Sequence, residues 1–285
     1  MINLVIASGK GGTGKTTVAV NLALSLKENN VQLLDCDVEE PNAHLFLKPV
    51  IESAMDVSIP IPEIDLEKCN YCGRCAEVCS FNALAVFQDQ VMVLAELCHG
   101  CGSCAYFCPE KAIREVKRPI GVIESGTAGV LQFAHGRLNP GEAMSPPLIN
   151  AVKKLIMPDS ITIIDAPPGT SCPVVNAVNG CDFCLLVTEP TPFGLNDLDL
   201  AYQMVTRLDI PVGVVINRCD IGDDGVEKYC SKHNLLVLQK IAFDIEIARL
   251  YARGEPVVLH LPAWRSRFSE LFERIVEARE GAVQQ

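Results

Sequence analysis

A nine-residue stretch near the amino end, Gly9-Lys10-Gly11-Gly12-Thr13-Gly14-Lys15-Thr16-Thr17, limits the fold more than any other part of the chain. An apolar run from Ile2 to Ala7 precedes it, and a helical pattern from Val18 to Leu26 follows. Strand, glycine loop, helix is the setting in which backbone N–H groups curl round an anion without interference from Cβ atoms, and the helix start adds its positive dipole end. The spacing G-x-x-x-x-G-K-T sends Lys15 to the β- and γ-phosphates and puts the Thr16 hydroxyl on Mg²⁺. Gly11, Gly12, Thr13, Gly14 and Thr17 make up the rest of the cradle. A nucleotide with its Mg²⁺ is the expected ligand.

Apolar strands and helical patterns alternate along most of the chain. Strands are predicted at Val31–Asp35, Ser160–Asp165, Phe183–Thr188, Val212–Asn217 and Leu236–Ala242. Helices are predicted at about 148–156, 194–208, 224–233, 244–252 and 263–279. This reads as an α/β fold with a mostly parallel sheet flanked by helices. Ala54 to Ile64, which carries prolines, reads as an edge strand or linker. Residues 124–147, rich in glycine and proline, read as a long loop. With 285 residues and 49% hydrophobic content, the chain can hold one substantial core and a smaller module.

That smaller module is a cysteine block. Cys69, Cys72, Cys75 and Cys79 are spaced C-x₂-C-x₂-C-x₃-C, and Cys98, Cys101, Cys104 and Cys108 repeat the spacing 29 residues on. Gly73/Gly102, Ala76/Ala105 and Ala83/Ala112 match at the same offset, so the block is an internal duplication. It fits a bacterial-type ferredoxin holding two 4Fe–4S clusters, in which the fourth cysteine of each run ligates the other cluster. The expected sets are Cys69, Cys72, Cys75 and Cys108 for one cluster, and Cys98, Cys101, Cys104 and Cys79 for the other. Ser80 stands where such runs usually carry proline. The block divides the chain into an α/β domain of 1–60 and 117–285 and an inserted α+β module of 61–116.

Lys10, a second lysine inside K-G-G-T-G-K-T-T, resembles the deviant phosphate loop of the MinD/ParA/Mrp ATPases, relatives of the nitrogenase iron protein. Ile163-Ile164-Asp165-Ala166-Pro167-Pro168-Gly169-Thr170 resembles the Walker B and switch II segment of the same family. The whole chain resembles members that carry an inserted ferredoxin module. The resemblance implies ATP as the nucleotide and dimer formation, with a second copy or with a paralogous ATPase. It implies that Lys10 reaches the partner's nucleotide, that Asp165 holds Mg²⁺ and that the Gly169 backbone senses the γ-phosphate. It further implies that Asn217 reads the adenine edge and that Glu189-Pro190-Thr191-Pro192-Phe193 lies near the dimer face. Asp37, after the second strand, is the expected orienter of the attacking water. Asp35 is the alternative, and Glu39 and Glu40 are weaker ones.

Other features set bounds. A net charge of −11 argues against nucleic-acid and anionic-membrane partners. No apolar run has membrane-spanning length, so no stable insertion is expected. Fourteen cysteines without an export signal point to metal ligands and a reducing cytoplasm. Cys172 lies seven residues after Asp165, where the nitrogenase iron protein has a bridging cysteine; Cys181 and Cys184 read as small buried hydrophobes. The last helix reads as core-packed, since its polar face mixes Arg with Glu where a membrane-binding helix is basic. Three functions compete: nucleotide-gated electron transfer through two clusters to a redox or metal-cofactor partner, iron–sulfur or metal-cofactor assembly, and a MinD-type positioning ATPase with clusters as sensors. The first is the leading expectation.

Overall fold

The computed structural model describes residues 2–26 and 30–283. β1 (Ile2–Ala7) leads into α1 (Lys15–Ser25), and β2 (Val31–Asp35) into α2 (Ala43–Leu47). β3 (Val50–Ile64) leaves the body of the molecule. α3 (Arg74–Glu77), β4 (Leu84–Phe87), β5 (Gln90–Val93) and α4 (Ser103–Tyr106) follow, and β6 (Ile113–Ala128) returns. Then come β7 (Leu131–Leu138), α5 (Ser145–Lys153), β8 (Ile161–Asp165), α6 (Cys172–Val178), β9 (Phe183–Thr188) and α7 (Pro192–Thr206). β10 (Val212–Asn217), α8 (Gly225–Lys232), β11 (Leu236–Ile241), α9 (Ile245–Ala252), α10 (Val257–His260) and α11 (Pro262–Val283) complete the order.

Nine strands form one sheet in the order β11-β10-β9-β1-β8-β2-β7-β6-β3. The strands from β11 to β7 run parallel; β6 and β3 are antiparallel additions at one edge. The central strands are apolar runs because both of their faces are covered. In β1, Leu4 and Ile6 enter the core under α1 and α11, while Val5 and Ala7 enter the opposite core under α5, α6 and α7. On α11, Trp264, Phe268, Leu271 and Ile275 recur at helical spacing and are buried. At about 1.5–3 kcal/mol for each such side chain, detaching this helix would cost an amount comparable to a domain's whole net stability. It is therefore part of the core, as expected. Among the described residues no helix is long and apolar enough to cross a membrane.

The expected loop at 124–147 is mostly ladder. β6 continues to Ala128, Gly129 turns the chain with φ 65°, and β7 runs on to Leu138. The glycines that suggested a loop mark close approach instead. A Cβ on Gly136 would lie 2.6 Å from Val38 Cγ1 and 3.0 Å from Val152 Cγ2. The prolines of β3 were the better guide, because Pro60 and Pro62 sit on the edge strand, where a missing N–H costs no ladder bond. Gly136→Ala is expected to lower stability by about 1–3 kcal/mol through overpacking, measured as a lower urea midpoint at unchanged slope; an unchanged midpoint would contradict this packing.

Candidate nucleotide cleft and paired cysteine sites

The carboxyl ends of β1, β8, β2, β10 and β11 converge on one cleft, the position at which open α/β sheets bind ligands. Its cavity volume is about 440 Å³, and Gly11, Gly12, Gly14, Lys15, Thr16 and Thr17 line one wall. Gly12 and Gly14 have φ values of 79° and 100°, a backbone that favours glycine, and Gly14 opens α1 directly. The loop is braced from below. Ser8 Oγ donates to the Lys10 carbonyl at 2.5 Å, and Asn217 Nδ2 donates to the Thr13 carbonyl at 2.8 Å.

Beneath the loop lies a buried charge cluster. Lys15 is 7% exposed, and burial lowers its pKa against the opposing pull of Asp165, Asp37 and Asp35. Burial pushes Asp165 up to about 7; Lys15 and the neighbouring Thr16 hydroxyl oppose that shift. Thr16 stands close without hydrogen-bond geometry, so both Asp165 oxygens are buried without a partner. An orphaned carboxylate beside a threonine hydroxyl at a phosphate loop fits Mg²⁺, whose ligands are oxygens.

Asp35 and Asp37, which the sequence left as alternatives, stand in different roles. Asp35 is fully buried and accepts backbone N–H groups from Asp37, Asn42 and Ala43 at 3.0–3.1 Å. Its carboxylate shapes the Asp37–Ala43 turn. Asp37 and Glu40 line the cleft, whereas Asp35 and Glu39 do not. Burial, with Glu39 and Glu40 adding to it against Lys15, raises Asp37 to about 6.

Other expected residues are engaged within the chain. The Gly169 N–H donates to the Ser8 carbonyl at 3.0 Å, so sensing a phosphate requires that bond to open. Asn217 faces the loop as described, and its Oδ1 accepts the Arg218 N–H. Lys10 lies 3.9 Å from Glu189, which also holds Arg218 at 2.7 Å. The far wall, unassigned from sequence, holds Phe243, Asp244, Ile247 and Tyr251. Asp220 accepts the Phe243 N–H at 2.6 Å, and Asp244 caps α9 by accepting the Glu246 N–H. The available signal was positional: this segment follows a parallel strand's carboxyl end.

The eight expected ligand cysteines gather elsewhere, beyond the last β3/β6 pair, Ile64 with Ile113. One concavity is lined by Cys69, Cys72, Cys75 and Cys108, and a second by Cys79, Cys98, Cys101 and Cys104. The backbone repeats at the sequence offset. Tyr71 and Gly100, Gly73 and Gly102, and Asn82 and Lys111 all have positive φ. Cys79 Sγ accepts the Ala83 N–H at 3.2 Å, and Cys108 Sγ accepts the Ala112 N–H at 3.3 Å. Such N–H···S bonds suit thiolates in an iron–sulfur site. Among the described residues no three His, Cys, Asp or Glu side chains close on a single metal ion. His99 stacks on Phe81 with centroids 3.6 Å apart at the second concavity. Cys181 and Cys184 are buried in the sheet core, as read, while Cys172 is exposed at the start of α6.

A parallel sheet with a glycine loop opening α1 and a buried aspartate at the end of β8 defines a P-loop nucleotide-binding protein. The CobQ/CobB/MinD/ParA nucleotide binding domain matches residues 4–257, and the chain belongs to that family. An uncharacterised protein of Methanocaldococcus jannaschii is 34% identical, covering 90% of this chain and 91% of its own. An iron–sulfur cluster carrier protein of Pyrococcus horikoshii is 26% identical, covering 96% of this chain and 85% of its own. The septum site-determining protein MinD of Pyrococcus horikoshii, solved with Mg-ADP, shares the fold with a TM-score of 0.59 at 20% identity, over 95% of this chain and 94% of that one.

Asp165 makes a pH prediction. Its pKa is about 7 in the folded chain against 3.8 ordinarily, so between these values the unfolded chain has released a proton that the folded one retains. Folding stability therefore falls as pH rises from about 4 to 7. Without nucleotide or Mg²⁺, Asp165→Asn should raise the melting temperature at pH 7 and raise it less at pH 4; a gain independent of pH would refute the burial argument.

Proposed function

We infer that this chain is an ATP-hydrolysing, dimer-forming iron–sulfur protein with two 4Fe–4S clusters in its inserted module. The observation that carries this reading is the sorting of eight cysteines into two concavities, each joining three cysteines of one run to the fourth of the other. Cys69, Cys72, Cys75 and Cys108 would hold one cluster, and Cys98, Cys101, Cys104 and Cys79 the other. Such clusters supply one-electron chemistry. Thr16 and Asp165 would hold Mg²⁺, which neutralises developing phosphate charge. Lys15 and the loop amides bind and orient the phosphates, and Asp37 orients water at the γ-phosphate and takes up its proton.

What the clusters do divides into two readings. The relatives named iron–sulfur cluster carrier protein favour a carrier ATPase, which delivers a cluster to an acceptor protein. A second reading, nucleotide-gated electron transfer to a redox or metal-cofactor partner, draws support from the crossed fourth cysteines. Each cluster would be tied to both halves of the duplication, an arrangement suited to keeping it.

Anaerobically reconstituted protein should hold about eight iron atoms, and Cys79→Ser and Cys108→Ser should each remove about half. In the carrier case, Mg·ATP accelerates activation of apo-aconitase while iron leaves the chain. In the electron-transfer case, iron stays and Mg·ATP changes the rate at which reduced protein is oxidised. Nucleotide independence in both assays would sink both readings. Asp37→Asn should keep ATP binding and lower kcat by about 10²–10⁴. In the native chain kcat/KM should climb through about pH 6 as Asp37 ionises; a flat profile would remove Asp37 from that role.

A further inference from the structure

The duplication supplies an internal control for what the fold of the inserted module requires. α3 and α4 are equivalent four-residue helices, each opened by a left-handed glycine, Gly73 and Gly102. At the end of α3 stand Glu77 and Val78; at the matching positions of α4 stand Tyr106 and Phe107. The same backbone therefore forms without aromatics. Yet Tyr106 is 84% exposed and Phe107 48%. Their rings meet edge to face at 5.0 Å, and the Arg74 guanidinium lies 5.7 Å over Phe107. The pair follows Cys104 of one concavity and precedes Cys108 of the other. Exposed aromatics beside a polar rim are the composition of an interface centre.

Charge indicates what covers them. Residues 65–112 carry six Asp and Glu side chains against three Lys and Arg, within a chain of net charge −11. Glu77 on α3, which packs on α4, is paired with Arg74 at 3.1 Å, so the acidic excess belongs to the module as a whole, with Glu110 two residues after Cys108. We propose that Tyr106 and Phe107 are the docking centre for a redox protein that presents an apolar patch within a cationic rim, and that electrons pass between it and the clusters at this face. The proposal rests on the electron-transfer reading of the inserted module.

The test uses the full reconstituted chain, reduced with dithionite, with cationic cytochrome c as acceptor; one electron leaves the protein and converts ferric haem to ferrous. An anionic plastocyanin of similar size is the contrasting acceptor. The native chain should reduce cytochrome c faster, and the advantage should shrink as salt screens the rim. Replacing Tyr106→Glu and Phe107→Val transplants the first repeat's residues onto the second. The rate constant should fall roughly tenfold, although the added carboxylate attracts the acceptor, while iron content and the electron paramagnetic resonance spectrum stay unchanged. Zinc-substituted cytochrome c, which accepts no electron in the dark, should lose affinity by a similar factor. If the double variant loses iron, Tyr106→Ser alone should still give about a threefold loss. Native rates and affinity in these variants, or faster reduction of plastocyanin, would overturn the docking proposal while leaving the clusters in place. Dissociation of a dimer on substitution would overturn it by assigning the face to a second copy. A native chain that takes up no reducible cluster would defeat the underlying reading instead.

Discussion

One constraint governs this molecule: a lysine and three aspartates converge at the carboxyl edge of the sheet, with Asp35 and Asp165 at 0% exposure. Isolated buried carboxylates are costly, so each must be paired, protonated or placed on a metal. Three backbone amides hold Asp35, yet burial and the neighbouring Asp165 charge still push its pKa well above the usual carboxylate range. Asp165 has none of those partners, and burial pushes it up to about 7. Lys15 answers part of the charge, and Mg²⁺ with a nucleotide suits the remainder. The phosphate loop, the turn carrying Asp37 and the end of β8 are thus held in an arrangement whose charge a cation would complete.

The same turn adjoins the strands that lead to the cysteine module. The Val38 carbonyl, one residue beyond Asp37, accepts the Leu138 N–H at 2.8 Å, and Gly136 lets Val38 pack against β7. Leu138 pairs with Gly121 on β6, which continues to Glu115 at the second concavity, facing Pro60 and Pro62 of β3. This is a contiguous ladder between the turn and the cysteines. The proposed function requires this ladder, or the elements packed on it, to adopt two arrangements that nucleotide biases.

Much of this was legible in the chain because its signals are local. The phosphate loop needs only adjacent residues, and the 29-residue repeat declares itself by spacing. The sheet's parallel strands read as apolar runs because both faces are covered. What escaped depends on contacts distant in sequence. Gly126 and Gly136 are loop residues by type alone, whereas Val50 and Val38 pack directly against them. Asp35 and Asp37 differ only in where the turn sends them. Phe243 and Tyr251 carry no motif; their place on the cleft follows from β11 ending beside β10. Tyr106 and Phe107 were visible as letters but acquired meaning only against Glu77 and Val78 on the same backbone.

The proposed function requires nucleotide in the cleft to act on the cysteine sites of the same chain. A redox titration of the reconstituted protein, followed by electron paramagnetic resonance with and without a non-hydrolysable ATP analogue and Mg²⁺, tests it most directly. A nucleotide-dependent shift in the clusters' midpoint potential or spectrum is expected, and it should disappear in Lys15→Gln. Identical titrations in the native chain, at a nucleotide concentration shown to saturate binding, would contradict it.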